Sequence, residues 1–76
     1  MLQFKDRIKK LRKEKDMTQE QLAEYMGVSP QAVSRWETGS TYPDIFALPL
    51  LAELFGITVD GLLGVDEKEK QMEIKS

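Results

Sequence analysis

The sequence predicts an all-α fold, a compact bundle of about five short helices forming one domain. Three observations carry this expectation. Apolar residues recur at helical spacing in successive stretches of the chain; Ser or Thr residues stand at the starts of these stretches and Gly residues at their ends. A length of 76 residues also leaves room for a single small core.

The elements follow in order. Phe4, Ile8 and Leu11 stand at i, i+4 and i+7 with charged residues between them, the stripe of an amphipathic helix over roughly residues 3–15. Thr18-Gln19-Glu20-Gln21 fits a capping box, in which the Thr18 hydroxyl accepts from the Gln21 backbone and the Gln21 side chain reaches back. Met17 and Leu22 form the hydrophobic staple around it. Helix 2 then carries Leu22, Ala23 and Met26 inward and ends at Gly27, a residue that tolerates a left-handed conformation. The turn that follows is short, because Ser29 is already an N-cap and Pro30 suits a first helical position. Val28 and Val33 are expected to staple this second start. Helix 3 buries Val33 and Trp36, while Gln31, Ser34, Arg35 and Thr38 form a polar stripe on the other side, and Gly39 stops it.

Ser40-Thr41-Tyr42-Pro43 reads as a loop, and Leu48, Leu51, Ala52 and Phe55 as a fourth helical stripe closed by Gly56. Pro49 lies inside that pattern, so Asp44 to Leu48 is either a separate turn or a kinked first turn. Thr58 caps a short last helix through Leu62 and Leu63, where Gly61 costs about 1 kcal/mol relative to Ala. Beyond Gly64 the chain turns mixed in charge and poor in apolar residues. The expected organisation is a folded domain over residues 1–64 and a charged tail or linker over residues 65–76.

Composition removes several classes of function. The chain has no Cys and no His, which excludes disulfide staples, thiol nucleophiles, His-containing zinc sites and the commonest general base. No phosphate-cradling glycine loop is present either, so an enzyme, a cofactor or a metal site is not expected, and no small-molecule site is evident. The apolar run from Ile45 to Leu51 is too short to cross a bilayer and the charged start lacks the apolar centre of a signal peptide, so no membrane contact and a cytoplasmic location are expected. The 11 basic and 13 acidic residues give a formal charge of -2, the wrong sign for a typical nucleic-acid binder. Distribution offsets this. Lys5, Arg7, Lys9, Lys10, Arg12, Lys13 and Lys15 crowd the first segment, whereas the charged residues between Thr38 and Gly64 are all acidic: Asp44, Glu53 and Asp60. A molecule polarised in this way can orient on an anion despite its net charge.

Two helices joined by so short a turn cross steeply, which demands a small residue at their contact and a glycine-like conformation at the corner; Ala23 and Gly27 meet both demands. The segment Thr18 to Gly39, TQEQLAEYMGVSPQAVSRWETG, resembles the helix-turn-helix of the phage repressor and Cro type, the Xre family, and the resemblance runs from about Phe4 to Leu63. It implies a lambda repressor-like arrangement of five helices with helix 3 in the major groove of DNA. Residue by residue, it implies that Gln31, Ser34 and Arg35 face the bases and that Gln19 contacts a phosphate at the helix 2 N-terminus. It also implies an architectural pair of Arg12 with Glu37. Ser40 and Thr41 either offer hydroxyl and backbone N–H groups to phosphate or shape the loop. Two positions depart from the family pattern: Pro30 stands where some relatives carry a base-reading polar side chain, and Gly61 stands where an acidic residue is frequent.

The function implied is sequence-specific binding of double-stranded DNA by a transcriptional regulator, a repressor acting as a homodimer on a palindromic operator. Dimer contacts are expected around the loop before Thr58 and the last helix. The alternative is a protein-interaction module on the same scaffold, an antitoxin or bridging factor, which the acidic balance would suit.

Overall fold

The computed structural model describes residues 4–64. Five helices, α1 (Phe4–Glu14), α2 (Gln19–Met26), α3 (Pro30–Thr38), α4 (Leu48–Phe55) and α5 (Val59–Leu63), surround one core, with a 3-10 turn at Ile45–Ala47 before α4. The expected tail over residues 65–76 lies outside the described residues. Each helix sends one aliphatic side chain to the centre: Ile8, Leu22, Val33, Leu51 and Leu62 are fully buried. Phe4, Ala23, Trp36 and Phe55 complete the core. α3 takes α2 on one side and α1 on another, while α4 packs on α5 and α5 returns to α1.

The start of each helix after α1 is set by its flanking residues. At α2 the capping box is complete: Gln21 N–H donates to Thr18 Oγ1 at 3.0 Å, and Thr18 N–H donates to Gln21 Oε1 at 2.9 Å. Ser29 Oγ accepts from Ala32 N–H at 3.2 Å at the start of α3, with Pro30 at its first position. Thr58 Oγ1 accepts from Gly61 N–H at 3.0 Å at the start of α5. The chain between α3 and α4 resolves the alternative left open by the sequence. Asp44 caps a separate 3-10 turn, accepting from Phe46 N–H at 2.9 Å, and Pro49 then falls in the first turn of α4. A proline there loses nothing, because the first-turn N–H groups have no partner within the helix.

Two details refine the expectations. Val28 is 37% exposed at the margin of the fold, whereas Val33 is fully buried. On α1 the residue that continues the Phe4–Ile8 stripe inward is Arg12, which is buried, while Leu11 is only partly so. The i, i+4, i+8 row simply lies closer to the core axis than the i+7 position.

The corner between α2 and α3 depends on Gly27, whose φ is 72° and ψ 31°. Its N–H donates to Glu24 O at 3.2 Å, and the N–H of Val28 donates to Ala23 O at 2.9 Å, so two carbonyls of the last turn of α2 are closed off within two residues. A Cβ placed on Gly27 would meet nothing within 4 Å, which makes the backbone angle, and not a clash, the whole constraint. Gly27→Val is therefore expected to destabilise the domain by more than about 1 kcal/mol, whereas Gly27→Asn, which tolerates the left-handed region, is expected to remain close to wild type. Thermal unfolding of the three proteins checks this: equal losses for Val and Asn would mean that the corner is limited by space around the residue.

Candidate nucleic-acid interface

Burial of Val33, Trp36 and Glu37 fixes the rotation of α3 about its own axis. Gln31, Arg35 and Thr38 consequently lie exposed on the far side, with Ser34 half-buried between them. Among the described residues, no hydrogen bond or ion pair claims the side chain of Gln31 or Arg35. Both are free to meet a ligand. Pro30, at the leading end of the same helix, is exposed and has no side-chain donor.

Behind this face lies a polar cluster. Arg12 Nε donates to Glu37 Oε2 at 2.6 Å and Arg12 Nη2 donates to Glu37 Oε1 at 3.1 Å, a bidentate pair between α1 and α3. The third Arg12 donor, Nη1, reaches the carbonyl of Met17 at 2.7 Å, tying down the residue just before the α2 cap. The Glu37 side chain is 3% exposed. A carboxylate buried to this degree needs its charge neutralised and its lone pairs occupied, and the guanidinium fork does both. Gln19 joins the cluster by donating from Nε2 to Glu37 Oε1 at 3.1 Å. The family resemblance implies only a phosphate contact for Gln19; no local pattern betrays a contact between residues 18 apart that exists because α2 lies on α3.

At the end of α3, Ser40 and Thr41 take part in shaping the loop. Ser40 N–H donates to Arg35 O at 2.9 Å, and the N–H of Thr41 reaches the same carbonyl at 3.4 Å. Thr38 Oγ1 donates to Arg35 O at 3.2 Å and lies 3.0 Å from Ser40 Oγ. Because a hydroxyl carries one proton, Ser40 must be the donor of the second bond. Ser40 thus spends both of its donors inside the chain, whereas the exposed Thr41 keeps its hydroxyl. Lys5, on the first turn of α1, adds a feature that spacing did not reveal. Its stem runs over Gly39, 3.0 Å from where a Cβ would stand, and brings a basic side chain to the end of α3.

A helix ended at Gly27, a short corner, a second helix turned so that its polar stripe faces out and an ion pair bracing them from behind form one arrangement. The family model described as helix-turn-helix matches residues 8–62. The chain belongs to the Xre-like helix-turn-helix family. This helix-turn-helix chain is 41% identical over 66 residues to the transcriptional activator BcrR of Enterococcus faecalis, a match covering 87% of the chain and 32% of BcrR. It is 39% identical over 66 residues to the transcriptional regulator AnsR of Bacillus subtilis, covering 87% of the chain and 56% of AnsR. The chain thus spans only part of either relative. The P22 c2 repressor, solved in complex with a synthetic operator, superposes with a TM-score of 0.79 at 32% identity, covering 87% of this chain and 100% of that one. No helix among the described residues is long and apolar enough to cross a membrane.

Removing Arg12 would strand the buried carboxylate of Glu37, whereas Lys13, the next residue, is exposed. Arg12→Met is expected to lower stability by about 1–3 kcal/mol and Lys13→Met by less than about 0.5 kcal/mol. Urea unfolding of the two variants gives the comparison, and equal small losses would mean that the pair contributes nothing.

Proposed function

We propose that this domain is the DNA-reading part of a transcriptional regulator, binding a two-fold symmetric operator with α3 in the major groove. The observation that carries the reading is the outward polar face of α3, on which the Gln31 and Arg35 side chains are unclaimed, held by a helix-turn-helix frame that superposes on an operator-bound repressor. Gln31 suits adenine, whose N6 and N7 pair with an amide, and Arg35 suits guanine through O6 and N7; Ser34 can meet either base. Gln19, at the first position of α2, faces phosphate, where the helix start and an amide donor both favour an anion. Thr41 offers its hydroxyl to the backbone, and Ser40 reaches a phosphate by giving up its donation to Thr38.

One such domain touches too few base pairs for useful specificity, so a homodimer is the proposed reading unit, its two α3 helices about 34 Å apart in successive major grooves. Leu63, 42% exposed at the end of α5, and the loop before Thr58 supply the contact face. Occupying an operator blocks transcription without any further activity, which makes repression the mode this domain can exercise alone; the cytoplasm is the matching compartment. The likeness to an operator-bound repressor supports this reading over a protein-interaction module.

Selection of bound duplexes from a random pool tests the proposal: a palindrome should enrich, and a pool that stays random would exclude sequence reading. Against the selected operator, its single-base variants and a scrambled duplex at one salt concentration, two substitutions should separate. Gln19→Ala is expected to lower every affinity by a similar factor. Arg35→Ala is expected to cost about 1–3 kcal/mol on the operator and to erase discrimination at one base pair. Anisotropy titrations report both, and an Arg35→Ala protein with unchanged base preferences would place Arg35 on a phosphate.

A further inference from the structure

The proposed phosphate contact is not free to choose its orientation. A primary amide presents donors from its nitrogen and an acceptor from its oxygen, and the two ends exchange by a half-turn about the last side-chain bond. At an anion only the nitrogen end is useful. Gln19 Nε2 is fixed on Glu37 Oε1 at 3.1 Å, and the same carboxylate is gripped at 2.6 and 3.1 Å by Arg12. Turning the amide over would set its oxygen against a carboxylate that is 3% exposed, an arrangement with no compensating donor.

From this geometry we infer that Glu37 is a positioning residue for DNA binding, acting through Gln19. By holding one Nε2 proton it keeps the second on the phosphate side and denies the acceptor end to the ligand. Arg12 has a matching part: paired with Glu37 at both oxygens, it neutralises the carboxylate, which would otherwise weaken the hold of Gln19 on an anion. The residue that braces α1 against α3 therefore also sets the backbone grip at the start of α2. This inference rests on the reading that Gln19 contacts a phosphate.

A double-mutant cycle on a scrambled duplex, which reports backbone contacts alone, tests it. Glu37→Met by itself leaves Arg12 without its carboxylate and can fail to fold. The cycle is therefore also run with Arg12→Met and Glu37→Met combined, which removes the pair without stranding a charge. Circular dichroism fixes a temperature at which every variant is folded. In the wild-type background Gln19→Ala should weaken binding about tenfold, as loss of a hydrogen bond to a charged group does. In the Arg12→Met/Glu37→Met background the same substitution should weaken it less than about twofold. Any effect of Arg12 itself appears in both arms and cancels. A second readout needs no DNA: the side-chain NH2 signals of Gln19 should be protected from solvent exchange in the wild type and lose that protection in the paired variant.

A tenfold loss in both backgrounds would overturn the positioning role while leaving the phosphate contact intact. A silent Gln19→Ala in the wild type would remove the phosphate contact and this inference with it. Absence of duplex binding by the wild-type protein would instead overturn the DNA reading as a whole.

Discussion

Everything at the candidate interface depends on how little chain connects α2 to α3. Between Met26 and Pro30 three residues end one helix, turn the chain and cap the next. Gly27 does the first by entering the left-handed region, Val28 donates its N–H to the Ala23 carbonyl in the last turn of α2, and Ser29 supplies the oxygen that opens α3. So short a link fixes the crossing of the two helices, and burial of Val33 and Trp36 then fixes the rotation of the second. Once both are set, Gln31 and Arg35 can point only outward. The outward stripe is a consequence of the corner as much as of the residues on it.

A second constraint keeps this geometry from drifting. Hydrophobic contact is non-directional and would allow α1 to slide along α3. The bidentate pair of Arg12 with Glu37 has a direction, and its third donor on the Met17 carbonyl extends the same grip to the chain before α2. Three helices therefore meet at one guanidinium and one carboxylate. Such pairs are seldom a large net gain in stability, since desolvation offsets most of the attraction; their value lies in allowing one arrangement and penalising the others.

Much of the fold was legible in the sequence because it is written in local signals. Thr18, Ser29 and Thr58 each act on a backbone N–H three residues ahead, and the family resemblance of Thr18 to Gly39 drew on the same punctuation. Features that depend on distant residues were less visible. Spacing put Leu11 on the α1 stripe, where it packs against the core, but could not show that Arg12 is buried as well; its partner on α3 accounts for that. Val28 stands in the staple position before Ser29, yet more than a third of it stays exposed, which position alone does not tell. The link from Gln19 to Glu37 was beyond reach, as was the commitment of the Ser40 N–H and hydroxyl to the end of α3. At the candidate site, then, sequence indicated which residues face out, and structure indicated which of their polar atoms are already engaged.

The formal charge of -2 remains the feature least typical of a DNA-binding domain, and Pro30 removes one more donor from the leading end of α3. On the proposed reading, both place the weight of recognition on a few groups, Gln31 and Arg35 foremost, and on their entry into the major groove. Methylation interference on the selected operator examines that docking most directly, since a methyl group on guanine N7 obstructs the major groove and one on adenine N3 obstructs the minor groove. With α3 in the major groove, guanine N7 methylation within each half-site should exclude those duplexes from the bound fraction while adenine N3 methylation is tolerated. Exclusion by adenine N3 methylation with guanine N7 methylation tolerated throughout would contradict it.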